Sequence, residues 1–127
     1  MSMRRAGIDP GRGEGSGVSG VKPVVLVNSD ARPIDGYDGS VCATTYLAAV
    51  LEGADALPVQ LPAMAGLDPV PYLDAADGVL LTGSRSNVHP AAYGGRSDAE
   101  AEPFDTVRDS IDIPLVRAAL ERGVPLL

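Results

Sequence analysis

Five consecutive residues, Pro23-Val24-Val25-Leu26-Val27, offer no polar side chain to turn toward water. Successive side chains of a strand point to opposite faces, so a run like this one is apolar on both and must be covered on both. A sheet with helices on each side meets that demand, and such sheets are built from parallel strands joined by long crossovers. Everything downstream can be tested against this requirement.

The rest of the chain supplies the crossovers. The first apolar run ends at Asn28-Ser29-Asp30, and Pro33, Gly36 and Gly39 predict a loop. Ser40 is suited to cap a helix whose apolar positions, Val41, Thr44/Thr45, Ala48 and Leu51, recur at steps of three and four, with Gly53 as its stop. Ala56-Leu57-Pro58-Val59-Gln60-Leu61 predicts a second strand, at an edge or starting late because Pro58 lacks a ladder donor. A Pro-broken stretch, 67–76, has room for a short helix ending near Asp74, and residues 78–82 read as a third strand. Val107, Ile111, Leu115 and Ala118/Ala119 then keep a helical stripe up to Gly123, with Pro114 predicting a kink or a late start.

The last residues, Gly123-Val124-Pro125-Leu126-Leu127, look like the opening of a fourth buried strand. The order strand, helix, strand, helix, strand, helix, strand predicts an α/β fold with an open parallel sheet. A parallel strand normally runs on into a crossover, so the expectation is that residues 21–127 form the front portion of a larger domain. Residues 1–20, rich in Gly, Ser and Arg without apolar periodicity, are expected to be a disordered tail. No hydrophobic segment follows Arg4-Arg5, which excludes an export signal of the twin-arginine type.

Charge narrows the partners. Ten Lys and Arg stand against 17 Asp and Glu, a net charge of −7, which argues against nucleic acid and anionic membrane as partners. No apolar run approaches the ~20 residues of a membrane span. The single cysteine, Cys42, forms no internal disulfide and is consistent with the cytoplasm. One histidine and scattered carboxylates give no metal-ligand spacing, and neither metal nor cofactor is expected.

The segment with most to say about function is Asp77-Gly78-Val79-Leu80-Leu81-Thr82-Gly83-Ser84-Arg85-Ser86-Asn87-Val88-His89. In open α/β sheets ligands gather at the carboxyl ends of the strands, where this polar loop begins. Gly83 lets the backbone turn with no Cβ in the way, and peptide N–H groups so presented are the usual material of an oxyanion hole. Locally, a plain turn after a strand would explain Gly83-Ser84 equally well.

Over a longer span, Leu81 to Val88, Tyr93-Gly94 and the Val116-Arg117-Ala118-Ala119-Leu120-Glu121-Arg122 helix running into the last strand resemble the γ-glutamyl-γ-aminobutyrate hydrolase family. This is the peptidase C26 branch of the class I glutamine amidotransferase-like enzymes. Tyr46 to Val50, Leu57-Pro58-Val59 and Leu61-Pro62 resemble the family's first helix and second strand. The resemblance covers residues 21–127 and implies a flavodoxin-like class I glutamine amidotransferase fold, here reaching as far as the strand before the nucleophile elbow. It implies a γ-glutamyl amide hydrolase of polyamine breakdown, with a small-molecule γ-glutamyl substrate, a cysteine nucleophile on the elbow after that strand, and a His and an acidic partner further on. By the same resemblance Gly83, with Ser84 beside it, supplies the oxyanion-hole N–H, and the nucleophile, base and acid fall beyond Leu127, so the 127 residues alone are expected to be inactive.

Arg85, Asn87 and His89 are the candidate substrate contacts; an Arg fork at 85 would suit the α-carboxylate of a γ-glutamyl group. Arg85 fills a variable position of the motif, often proline, and Gly53-Ala54-Asp55-Ala56 replaces the family's usual Ala-Gly-Gly turn. Cys42 is expected to be a half-buried structural thiol and His89 a loop residue, neither of them the nucleophile or base. The acidic run Asp98, Glu100, Glu102 and Asp105 is expected to complement the helix N-terminus that follows. Two other readings stay open: a glutaminase subunit that passes ammonia to a synthetase, and a non-catalytic α/β binding module.

Overall fold

A computed structural model describes residues 20–83 and 105–127 of the chain. Its centre is a three-stranded parallel sheet of β1 (Val24–Val27), β4 (Leu57–Gln60) and β5 (Gly78–Leu80), in the order β4-β1-β5. Leu126 extends it with a parallel bridge to Val79, where Leu127 N donates to Val79 O at 2.9 Å and Val79 N to Pro125 O at 2.9 Å. The four apolar runs therefore lie side by side in the order 57–60, 24–27, 78–80, 125–127, as an α/β fold requires.

β4 is an edge strand among the described residues, and Pro58 shows why it can be. Leu57 N and Leu61 N donate to Pro23 O and Val27 O across the β1 side, each at 2.8 Å. Strand alternation turns position 58 outward, where a missing N–H breaks no ladder bond. The crossovers to either side of β1 are α1 (Thr44–Ala48), which widens into a π-turn over Ala49–Gly53, then α2 (Val70–Asp74) and α3 (Thr106–Arg122). Among the described residues no helix is long and apolar enough to cross a membrane.

The run in β1 divides its side chains as expected. Val24 and Leu26 pack with Leu61, Leu73, Val79, Ile111, Leu115 and Ala119, on the face covered by α2 and α3. Val27 packs with Val50 and Ala56 on the other face, against α1 and its π-turn, with Val25, Tyr46 and Leu80 alongside. Ile111, Leu115 and Ala119 fall four residues apart, one side of α3, and are almost wholly buried.

Three local expectations need correction. Residues 30–41 are a hairpin and not a loop: β2 (Asp30–Ile34) pairs antiparallel with β3 (Tyr37–Val41). Asp35 (φ 50°) and Gly36 (φ 82°) make the turn, and two positive φ values in succession suit the right-handed twist of a tight hairpin. Gly39 is required by close approach, since a Cβ there would lie 2.7 Å from Arg32 O. Ser40 and Val41 belong to β3, so Ser40 caps nothing; its Oγ accepts from Ala63 N at 2.7 Å, and α1 begins behind Ala43 without a side-chain cap. The π-turn then changes the helical register, burying Val50 and leaving Leu51 exposed.

The third correction concerns Pro114. Of the two expectations, a kink or a late start, the late start is the one overturned: α3 begins well before Pro114, at Thr106, and carries it in its interior. Pro114 sits on the exposed side, where water can satisfy the Ser110 carbonyl that has lost its helical donor. Asp105 makes the early start possible: its Oδ1 accepts from Arg108 N at 2.9 Å as an N-cap. At the other end Gly123 takes φ 66°, the left-handed conformation that lets Val124 N return to Ala119 O. The atypical Gly53-to-Ala56 turn also resolves physically, because Asp55 adopts φ 50°, a conformation Asp tolerates better than most residues.

Candidate functional site

The buried polar side chains among the described residues are Asn28, Ser29, Thr82 and Arg108. Asn28, Ser29 and Thr82 follow the carboxyl ends of β1 and β5, and Arg108, from the first turn of α3, reaches them. Polar groups are normally kept out of a core, so their gathering at one sheet edge makes that edge the candidate site.

Asn28 begins the arrangement. Its Oδ1 accepts from Thr82 N at 2.7 Å and from Thr82 Oγ1 at 3.0 Å, which ties the end of β5 to the end of β1. Its Nδ2 donates to Asp112 Oδ2 at 2.6 Å. Arg108 then joins three elements: Nη1 pairs with Asp30 Oδ1 at the start of β2, Nε lies 3.1 Å from Asp112 Oδ2 one helical turn away, and Nη2 donates to Thr82 O at 2.6 Å. Two carboxylates answer the charge of this buried guanidinium, and with the Thr82 carbonyl they engage each of its three nitrogens. Asp105, besides capping α3, accepts from Ala31 N at 2.8 Å and fastens the hairpin to the helix.

Burial pushes the Asp112 carboxyl up to about 6, against the opposing pull of Asn28 and of the Arg108 charge. Ser29 Oγ is buried with no hydrogen-bond partner among the described residues. Gly83 completes the edge: its N–H donates to the Tyr46 hydroxyl at 3.0 Å, and a Cβ at position 83 would press on that same oxygen at 3.0 Å. A side chain at 83 would thus have to push the Tyr46 hydroxyl aside by a few tenths of an ångström, which favours glycine there.

Of the residues expected to form the site, Gly83 lies at this edge with its N–H directed at Tyr46. Ser84, Arg85, Asn87 and His89 lie outside the described residues, as do Tyr93-Gly94 and the acidic positions 98, 100 and 102. Asp105 does meet the helix N-terminus. Cys42 follows β3, half-buried, with burial and then the Asp30 charge pushing its thiol pKa up, the opposite of what a nucleophile needs. Among the described residues no group of three His, Cys, Asp or Glu is placed to hold a metal.

Sequence reasoning passed over Asn28, Tyr46, Arg108 and Asp112. Arg108 and Asp112 carried a readable signal: opposite charges four apart, with Arg108 three residues before Ile111 and so on the apolar stripe. Asn28 carried a weaker one, a polar residue immediately after a strand buried on both faces.

Comparison with known proteins agrees with this architecture. Residues 23–127 match the family model described as Peptidase C26. Over 107 residues the chain is 36% identical to a gamma-glutamyl-gamma-aminobutyrate hydrolase of Escherichia coli O157:H7 and to the gamma-glutamyl-gamma-aminobutyrate hydrolase PuuD of Escherichia coli K12. It is 35% identical to the hydrolase of the same name from Shigella flexneri. Each match takes in 82% of this chain and 41% of the relative, so the chain spans well under half the length of the curated relatives it matches.

Proposed function

We propose that this chain, which belongs to the peptidase C26 family, supplies the glycine-turn side of a site that hydrolyses γ-glutamyl amides. The observation that carries the reading is the Gly83 N–H, presented at the carboxyl edge of the parallel sheet beside a buried polar network. The Tyr46 oxygen demonstrates that an oxygen atom fits 3.0 Å from that nitrogen, within the ~2.7–3.1 Å at which a donor stabilises an oxyanion. The substrate class comes from relatives named as gamma-glutamyl-gamma-aminobutyrate hydrolases.

In this mechanism a cysteine thiolate from a segment outside the 127 residues attacks the γ-carbonyl carbon. The carbonyl oxygen gains the negative charge and takes the place of the Tyr46 hydroxyl against Gly83 N–H, with Ser84 assigned as a further donor. Collapse of the adduct breaks the C–N bond, the leaving amine takes the proton that a histidine of the same outside segment took from the cysteine, and a γ-glutamyl thioester remains. Water then attacks the thioester, releasing glutamate and restoring the thiol. Arg85, Asn87 and His89 are assigned to the α-carboxylate and α-amino end of the substrate, with Arg85 the fork that meets the carboxylate. The setting inferred is polyamine breakdown in the cytoplasm.

The test is glutamate release from γ-glutamyl-γ-aminobutyrate. The 127-residue chain alone is expected to be silent, whereas a protein that continues past Leu127 into a Cys-bearing elbow is expected to turn over and to be stopped by thiol alkylation. Thiol-dependent hydrolysis by the 127 residues alone would overturn the assignment of the nucleophile. In the longer protein Arg85→Ala is expected to raise KM at least about tenfold, the loss of one charge-assisted contact; an unchanged KM removes Arg85 from the site.

A further inference from the structure

We infer that Arg108 is a positioning residue for the oxyanion turn, acting through the Thr82–Gly83 peptide; the inference rests on the role proposed for Gly83. A trans peptide is planar, and its C=O and N–H point in opposite directions. The carbonyl of Thr82 and the amide of Gly83 are two ends of one such plane. Whatever holds the Thr82 oxygen therefore aims the Gly83 hydrogen.

Arg108 Nη2 holds that oxygen at 2.6 Å, and the opposite end meets Tyr46 Oη at 3.0 Å. Asn28 takes the remaining polar atoms of Thr82, its N and Oγ1, so the residue has no polar group left with which to rotate. The guanidinium is itself fixed by Asp30 and Asp112, which leaves Nη2 one direction in which to point. A lysine could supply the charge but not the fork that spans two carboxylates and a carbonyl.

The contact also polarises. A charge-assisted hydrogen bond on the carbonyl draws electron density along the peptide and strengthens the N–H at the other end as a donor. That gain is largest when the oxygen opposite the N–H carries a full negative charge, as in a tetrahedral adduct and not in the bound substrate. Arg108 is thereby placed to act on the transition state through a backbone amide, without touching substrate.

Two measurements test this together. In a complete hydrolase carrying this segment, Arg108→Lys is expected to lower kcat at least about tenfold while KM stays within about twofold, the pattern of an interaction made only in the transition state. Arg122→Lys, at the far end of the same helix, is the control and is expected to leave both unchanged. In the 127-residue chain, hydrogen exchange at the Gly83 amide is expected to be at least about tenfold slower than in an unstructured glycine, and to quicken in Arg108→Lys while the β1 amides keep their protection. A Gly83 amide that exchanges freely in the wild-type chain overturns the inference even if Arg108→Lys fails to fold, and so does a folded Arg108→Lys with Gly83 exchange and kcat unaltered. If the complete wild-type protein turns over no γ-glutamyl amide, the proposed function falls, and Gly83 exchange still decides whether Arg108 holds the peptide.

Discussion

The two faces of the sheet are finished to different degrees. On the α3 side a 17-residue helix, ~25 Å long at 1.5 Å per residue, lays Ile111, Leu115 and Ala119 across β1 and β5 with almost no surface left exposed. On the α1 side the short helix and its π-turn cover Val27, Val50 and Ala56 but leave an apolar trough of about 500 Å³, lined by Val25, Tyr46, Val50, Leu80 and Leu126. The polar network at the carboxyl edge belongs to the finished side, since Arg108 and Asp112 come from α3. The Thr82–Gly83 peptide joins the two, its oxygen on Arg108 of the closed face and its nitrogen on Tyr46 of the open one. Rigidity in this segment is thus borrowed from one helix, and room for movement or for further chain is kept on the other side.

Substitutions can break this comparison directly. The largest effect is expected from Leu115→Ala, a loss of ~3–5 kcal/mol in denaturant unfolding, because the closed face cannot collapse around the cavity. Next come two overfilling changes read against each other. Ala119→Leu, at a position with no exposed surface, is expected to cost ~1–3 kcal/mol, whereas Ala49→Leu, on the lip of the trough, is expected to lie within ~0.5 kcal/mol of wild type. Equal costs at the two sites would show that the faces are packed alike.

The smallest effect sharpens the polar end of the closed face. With Asp112 pushed up to about 6, the folded chain keeps a proton there that the unfolded chain releases nearer the ordinary value of ~4. The stability this group contributes is full below the ordinary carboxylate range and is lost as pH rises through about 6. Asp112→Asn removes that titration, so Tm of the variant relative to wild type is expected to climb between pH 4 and pH 7. A difference that stays flat across that interval would assign the titration to another group.

What could be read from sequence divides along similar lines. The parallel sheet was legible because one local property, an apolar run with no polar face, forces a global arrangement. The edge placement of β4 among the described residues followed from Pro58, and the short α2 from Pro69 before it and Pro71 in its first turn. The hairpin was missed although Asp35-Gly36 announces it, because Pro33 and Gly39 read as breakers; Pro33 sits in a two-stranded ribbon, and Gly39 is there to let Arg32 approach. Gly83 could be picked out as a strand-ending glycine. Its surroundings could not, since Asn28 lies 54 residues from Thr82, and Tyr46 lies 37 from Gly83, so only folding makes them neighbours. Arg108 shows the limit most clearly: its spacing puts it on the apolar stripe of α3, and only β1 and β5 give a charge there a reason to be inside.

Arg108 holds the chain at two points far apart in sequence. Its guanidinium grips Thr82 just before residues 84–104 begin, and its backbone N–H is held by Asp105 just after they end. A single residue thus registers the end of β5 against the start of α3, two points 23 residues apart in the chain.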